Sequence, residues 1–298
     1  MSTPVAYRGR VAPTPTGYLH LGHARTFHTV WRRARAHTGA LVLRIEDLDP
    51  QRCKPEYAAA AVEDLRWLGL DWEEGPEPVS GPHAPYVQSQ RKHDYETAWR
   101  QLRDGGHIYP CWRSRKDLRE APLAPHEEDE PTEALYPNEW RPAPGLEKAF
   151  SIPGQARKHD AHPPSWRFRV PDGRSLTFID QRLGEQSFVA GRDFGDFVLW
   201  NRDDIPAYEL AVVVDDAAMA ITEVVRGEDL LKSTARQLLL YEALGLSPPR
   251  WYHCPLVRDA EGRRLAKRTD ALSLHALRAQ GVAPEQLWEA GSSIDPVE

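Results

Sequence analysis

Between Arg10 and His23 the chain reads Arg10-Val11-Ala12-Pro13-Thr14-Pro15-Thr16-Gly17-Tyr18-Leu19-His20-Leu21-Gly22-His23. A strand end, a Gly/Pro turn and a helix N-terminus, in that order, make an anion site. Backbone N–H groups without intrahelical partners and the positive end of the helix dipole both face the ligand. His20 and His23 flank Gly22 at that point. Imidazoles can donate to phosphate oxygens, and glycine lets a flat base approach the backbone. A histidine pair at this spacing alone could equally be a surface or metal pair; the whole stretch is more specific. A second segment, Arg263-Arg264-Leu265-Ala266-Lys267-Arg268-Thr269, forms a basic loop toward the other end of the chain. On its own it reads as a solvated charge run, and its meaning comes from being paired with the first.

The elements that must position these residues alternate. Arg8–Ala12 is a short strand candidate. His23–His37 has the period of an amphipathic helix, with Ala24, Phe27, Val30, Trp31 and Ala34 on one face and Gly39 available to close it. Leu41–Ile45 reads as a strand, Glu56–Leu68 as a helix with Pro55 at its first turn and Gly69 after it, and His93–Arg103 as a helix stopped by Gly105-Gly106. This order predicts a parallel sheet with crossover helices. The middle differs: Trp166–Val170 and Leu176–Ile179 flank Pro171-Asp172-Gly173-Arg174 and read as a hairpin of an inserted α+β subdomain. Tyr208–Asp215, with Val212-Val213-Val214, fits either a strand or a buried helix. Ile221–Val225 reads as a strand, and Ser233 or Thr234 as the cap of a helix running to Leu244 and closed by Gly245. The proline-rich, acidic stretch Ala121–Lys148 reads as a long irregular surface segment.

The 298 residues suit about two domains. No apolar run approaches the ~18 residues of a membrane span, and the first residues lack the apolar core of a signal peptide. Cys53, Cys111 and Cys254 are too few and too far apart for a disulfide framework, so a cytoplasmic location is expected. Lys and Arg total 38 against 44 Asp and Glu, a net charge of −6, so any RNA must be met by a local basic face.

His20-Leu21-Gly22-His23 resembles the HIGH signature of class I aminoacyl-tRNA synthetases, and Arg264-Leu265-Ala266-Lys267-Arg268 resembles their KMSKS signature. Arg10–Gly17, Leu43–Asp49, Leu65–Asp71 and Ala211–Gly227, leading into Leu231–Gly245, look like the glutamyl-tRNA synthetase group in particular. The resemblance covers most of residues 7–275 and is weakest over 113–165. It implies an α/β fold: a Rossmann-type catalytic domain with an inserted α+β subdomain and a short helical C-terminal region. The expected divisions are 1–106 and 195–245 for the two Rossmann halves, 107–194 for the insert, and 246–298 for the KMSKS-like loop and C-terminal region. Only 29 residues follow Thr269. The length is therefore similar to that of the truncated paralogues, the glutamyl-queuosine tRNA(Asp) synthetases, without an anticodon-binding domain. Those enzymes activate glutamate with ATP and esterify it onto the queuosine base at the wobble position of tRNA(Asp). A minimal glutamyl-tRNA synthetase charging the 3′ end of tRNA(Glu), and an inactive RNA-binding paralogue, are the alternatives. A monomer is expected.

What the resemblance implies for the site agrees with the ligand's chemistry. Glutamate carries two carboxylates and one ammonium, which call for fork-shaped cations and an anion. Arg10 and Arg226 are candidates for the carboxylates, Glu46 for the ammonium, and Tyr208 for a hydroxyl contact, with Val11, Ala12, Pro13 and Thr14 completing the pocket. Read singly, Arg10 and Arg226 could be in ion pairs and Glu46 could pair with Arg44. Gly17, His20, Gly22, His23, Arg264 and Lys267 are expected around ATP, with Mg²⁺ sharing the phosphate charge. Arg264 and Ala266 depart from the usual lysine and serine; the charge is kept and a hydroxyl is lost. The family's frequent zinc site also departs from pattern. Its four positions hold Cys111, Arg113, Tyr136 and Trp140, and no zinc is expected, with packing by Trp112, Tyr136, Trp140 and Trp166 in its place.

Overall fold

The computed structural model describes residues 6–77, 79–114, 117–118, 135–150, 163–257 and 273–289. Its centre is parallel. Strand β1 (Arg8–Val11) pairs in parallel with β2 (Ala40–Leu43). The crossover between them is helix α1 (Leu21–Ala36), which buries Ala24, Phe27, Val30 and Ala34. Thr38, not Gly39, takes the left-handed turn after this helix, with φ 49°. Gly39 is needed for another reason: a Cβ there would stand 2.5 Å from the Tyr7 carbonyl oxygen. Helix α2 (Pro55–Trp67) follows and ends at Gly69, φ 75°. The two-residue strands β3 (Gly75–Pro76) and β4 (Val79–Ser80) form a small ladder before α3 (Lys92–Asp104).

Antiparallel pairing begins with β5 (Ile108–Cys111), which joins β6 (Ser165–Phe168), which in turn joins β9 (Phe197–Trp200). The expected hairpin across Pro171–Arg174 does not form. The chain does turn there, with Gly173 at φ 80°, but β7 (Ser175–Asp180) pairs with β8 (Gly184–Val189) instead. The alternation of β7 buries Leu176, Phe178 and Asp180, and its end pairs in parallel with β11 (Arg250–Cys254) at Trp251. Local turn signals are silent on such a switch of partner sheet.

The Val212–Val214 run is helical, within α4 (Tyr208–Ala218). Burial on nearly every side explains why its periodicity was ambiguous. Strand β10 (Glu223–Gly227) pairs in parallel with β11 and lies beside β1. The Thr222 N–H donates to the Arg8 carbonyl at 2.9 Å, and the Arg8 N–H to the Thr222 hydroxyl at 2.8 Å. Helix α5 (Leu231–Ala243) has Leu230 as its N-cap, so neither Ser233 nor Thr234 caps it; both lie buried inside the first turns. Two short helices, α6 (Leu274–Ala279) and α7 (Gln286–Glu289), follow. One apolar core surrounds Trp99, Trp166 and Trp200, and a second lies under β1, β2 and α1. No described helix is long and apolar enough to cross a membrane.

At the four positions corresponding to the family's zinc ligands, side chains pack on one another. The Cys111 thiol lies 3.2 Å from the Tyr136 hydroxyl, and the Arg113 guanidinium stacks 4.8 Å above the Trp140 ring. Tyr136 meets Trp140 edge to face. Trp112 does not join them. It is 45% exposed against Phe150, and Trp166 packs on Trp99 in the main core. A fixed cation and an indole offer zinc no lone pair. Protein purified without chelator is therefore expected to contain far less than one zinc per chain. EDTA should leave its melting temperature unchanged. Stoichiometric zinc resisting dialysis would overturn this.

Candidate active site

Four parallel strands end at one face, and their following loops line a cavity of about 510 Å³. Ala12, Pro13 and Thr14 follow β1, Glu46 follows β2, Arg226 and Gly227 end β10, and Pro255–Val257 follow β11. This is where open parallel sheets bind ligands.

One wall is the N-terminus of α1. His20 is its N-cap: its Nδ1 accepts the Gly22 N–H at 3.1 Å, while the His20 N–H donates to His23 Nδ1 at 3.1 Å. Each ring has therefore spent its Nδ1 lone pair on backbone, and its proton sits on Nε2. The fold sets both imidazoles as donors. No acidic residue occupies the first turn, so the dipole is not neutralised from within. A Cβ on Gly22 would meet the His20 ring at 3.0 Å, so glycine here makes room for that ring as well as for a ligand.

Arg10 and Glu46, which line the cavity, belong to a buried charge cluster. Arg10 Nε lies 3.3 Å from Asp216, and its Nη1 donates to the Val225 carbonyl at 3.1 Å. Arg44, fully buried, holds Asp216 at 2.7 Å and Glu46 at 2.9 Å. Arg91 holds Asp215 at 2.6 Å, with Tyr95 and Gln88 on the same carboxylate. Three arginines thus balance Glu46, Asp215 and Asp216. Burial pushes the Glu46 carboxyl up, and Arg44 and Arg10 oppose that shift.

Arg226 is different. It is 5% exposed, and its partners among the described residues are all uncharged. It donates to Thr234 at 2.6 Å, the Gln237 carbonyl at 3.0 Å, His253 Nε2 at 3.2 Å and the Tyr208 hydroxyl at 3.3 Å. A buried guanidinium lining a cavity, with no carboxylate hydrogen-bonded to it, has the chemistry to take one.

Over residues 6–291 the sequence matches the family described as tRNA synthetases class I (E and Q), catalytic domain. It is 47% identical over 276 residues to the Glutamyl-Q tRNA(Asp) synthetase of Nitratidesulfovibrio vulgaris, covering 92% of this chain and 82% of that protein. The chain belongs to the glutamyl-Q tRNA(Asp) synthetase family of class I tRNA synthetases. The Symbiobacterium thermophilum member is also 47% identical, over 277 residues, covering 93% of this chain and 83% of its own. A glutamate tRNA ligase from Elizabethkingia meningosepticum, solved in complex with its amino acid, superposes with a TM-score of 0.74 at 32% identity, covering 89% of this chain. This chain spans about half of that ligase, 52% of its length.

Of the residues expected in the site, Arg10, Ala12, Pro13, Thr14, His20, Gly22, His23, Glu46, Tyr208 and Arg226 line the cavity of this family member. Val11 points into the core instead, and Gly17 is not in the lining and has open space around its Cα. Arg264 and Lys267 lie outside the described residues. The residues before and after them do not: Val257 lines the cavity, and Ser273 bridges His20. Sequence reasoning left out Asp216, Thr234, Gln237 and His253. Asp215 and Asp216, two carboxylates following the apolar run Leu210–Val214, were the available signal for the first.

Proposed function

We propose that this protein activates L-glutamate with ATP to glutamyl-adenylate and transfers the glutamyl group to the queuosine base at the wobble position of tRNA(Asp). The observation that carries the reading is one cavity joining two unlike ends: Arg226, whose direct hydrogen-bond partners are all uncharged, and the helix N-terminus with two Nε2–H donors. The first suits a carboxylate and the second a phosphate. A glutamate carboxylate oxygen attacks the α-phosphorus of ATP, the bond to the bridging oxygen breaks, and pyrophosphate leaves. A hydroxyl of the modified base then attacks the acyl carbon, giving the ester and AMP.

Arg226 takes the α-carboxylate, Arg10 the side-chain carboxylate through the edge not committed to Asp216, and Glu46 the ammonium. His20 and His23 donate to phosphate oxygens as charge grows there. Lys267 and Arg264 hold the departing pyrophosphate. Mg²⁺ enters with the ATP phosphates as part of the substrate. Retained His20, His23 and Lys267 argue against an inactive RNA-binding paralogue.

Two measurements test this. Labelled glutamate supplied with ATP and queuosine-containing tRNA(Asp) is expected in the wobble nucleoside after nuclease digestion. Label on the 3′-terminal adenosine of tRNA(Glu) would instead make the protein a minimal glutamyl-tRNA synthetase. Glutamine should support ATP–pyrophosphate exchange at least ~10²-fold more poorly than glutamate, because a neutral amide leaves a buried arginine unpaired. Comparable rates would overturn the pocket assignment.

A further inference from the structure

We infer that His253, oriented by Asp180, is a positioning residue that holds Arg226 ready for its carboxylate; this rests on the glutamate reading above. The three side chains lie on three adjacent parallel strands, β7, β11 and β10. Arg226 and His253 are direct neighbours in the β10–β11 register, and Asp180 is the residue through which β7 pairs with β11. All three are buried, His253 completely.

The hydrogen bonds allow one arrangement of protons. Asp180 accepts four of them. One oxygen takes the Arg182 and Leu183 N–H groups at 3.0 and 2.9 Å, and the other takes the His253 N–H at 3.0 Å and lies 2.7 Å from His253 Nδ1. A carboxylate is an acceptor only, so Nδ1 carries the proton. His253 Nε2 is then a lone pair, and it faces Arg226 Nε at 3.2 Å and the Thr234 hydroxyl at 3.2 Å. Burial and the nearby Arg226 keep the ring neutral, lowering its pKa, while Asp180 opposes that shift. The charged groups facing His253 are Asp180 and Arg182 from β7 and its turn and Arg226 from β10; α5 contributes only the Thr234 hydroxyl.

The consequence falls on Arg226. A guanidinium recognises a carboxylate through a planar fork, so the angle of its plane decides the fit. Holding Nε fixes that plane together with Tyr208 and Gln237 on Nη1 and Thr234 on Nη2, in a residue that lines the cavity. An apolar residue at 253 would leave Nε buried without an acceptor and the plane free to turn. Supporting contacts of this kind determine whether a site is held to within a fraction of an ångström.

The experiment compares His253→Leu, which removes the acceptor, with His253→Gln, whose amide oxygen can replace Nε2. Glutamate-dependent ATP–pyrophosphate exchange is measured with glutamate and ATP varied separately. His253→Leu should raise the KM for glutamate by about 10-fold or more, the scale of losing a hydrogen bond to a charged group, with the KM for ATP within about 2-fold. His253→Gln should stay within about 3-fold of wild type for both. A residue that mattered only for packing would lower activity without separating the two substrates. In the wild type the glutamate KM should be flat above pH ~6.5 and rise at lower pH as the ring is forced to accept a proton. In the glutamine variant the rise should begin at lower pH, leaving only what protonation of Glu46 adds.

Equal KM values for glutamate in wild type and His253→Leu would overturn the inference, as would a glutamine variant as impaired as the leucine one. If the leucine variant does not fold, the wild-type pH profile and the glutamine variant still decide. Absence of glutamate-dependent exchange in the wild type would count against the glutamate reading itself, a separate result.

Discussion

Arg226→Met is expected to reduce glutamate-dependent exchange by about 10²- to 10³-fold in kcat/KM, the scale of removing one partner of a buried charge pair. The argument is one of charge balance. Arg10, Arg44 and Arg91 are matched by Glu46, Asp215 and Asp216. Arg226 has only Thr234, Gln237, Tyr208 and His253. The glutamate anion, net −1, supplies what is missing. The fold should tolerate the loss, because the four direct partners of Arg226 are neutral and Glu209, the buried carboxylate nearby, keeps Arg236. Two readouts separate recognition from stability. The melting temperature of the free protein should hold or rise, and the upward shift that glutamate gives the wild type should vanish. Arg226→Lys should not rescue, since an ammonium cannot span four acceptors around a planar fork. A glutamate-induced thermal shift persisting in the methionine variant would remove Arg226 from the pocket.

His23→Ala and His20→Asn should each lower ATP–pyrophosphate exchange by about 10²-fold or more, the usual consequence of losing one donor to a transition-state oxyanion. Asparagine is the informative choice at position 20. His20 caps α1, and loss of a cap alone costs about 1 kcal/mol. Asparagine is a good cap and can accept the Gly22 N–H, but it places no N–H where the imidazole Nε2 stood. Normal melting with depressed exchange is the expected pair of results. Near-normal exchange in His20→Asn would mean that the histidine is there for the helix alone.

The alternation of strands and helices was legible because each element carries its own period. The helix over Leu21–Ala36 shows its face at Ala24, Phe27, Val30 and Ala34, and Gly69 and Gly245 mark stops by their left-handed turns. The segments with mixed signals were the ones left open or misread. Burial on most sides of Tyr208–Ala218 erased its period, and Ser175–Asp180 left its neighbour in sequence to join a distant strand. The site divided along the same line. Arg10, Glu46 and Arg226 stand in recognisable motifs. Asp216, 172 residues from Arg44, and Asp180, 73 residues from His253, carry no local pattern that announces their partners.

The long-range charge pairing also governs how the chain comes off the ribosome. Arg10, Arg44, Arg91 and Tyr7 all depend on carboxylates between Asp215 and Glu223, and the neighbours of Arg226 extend to His253. Until those residues have emerged, Arg10 lacks its carboxylate partner, Arg44 has only Glu46 and Arg91 only Asp94. The nascent chain therefore cannot complete its catalytic half in order of synthesis. Closure is non-local and late, which makes folding slow and leaves apolar surface exposed while translation continues.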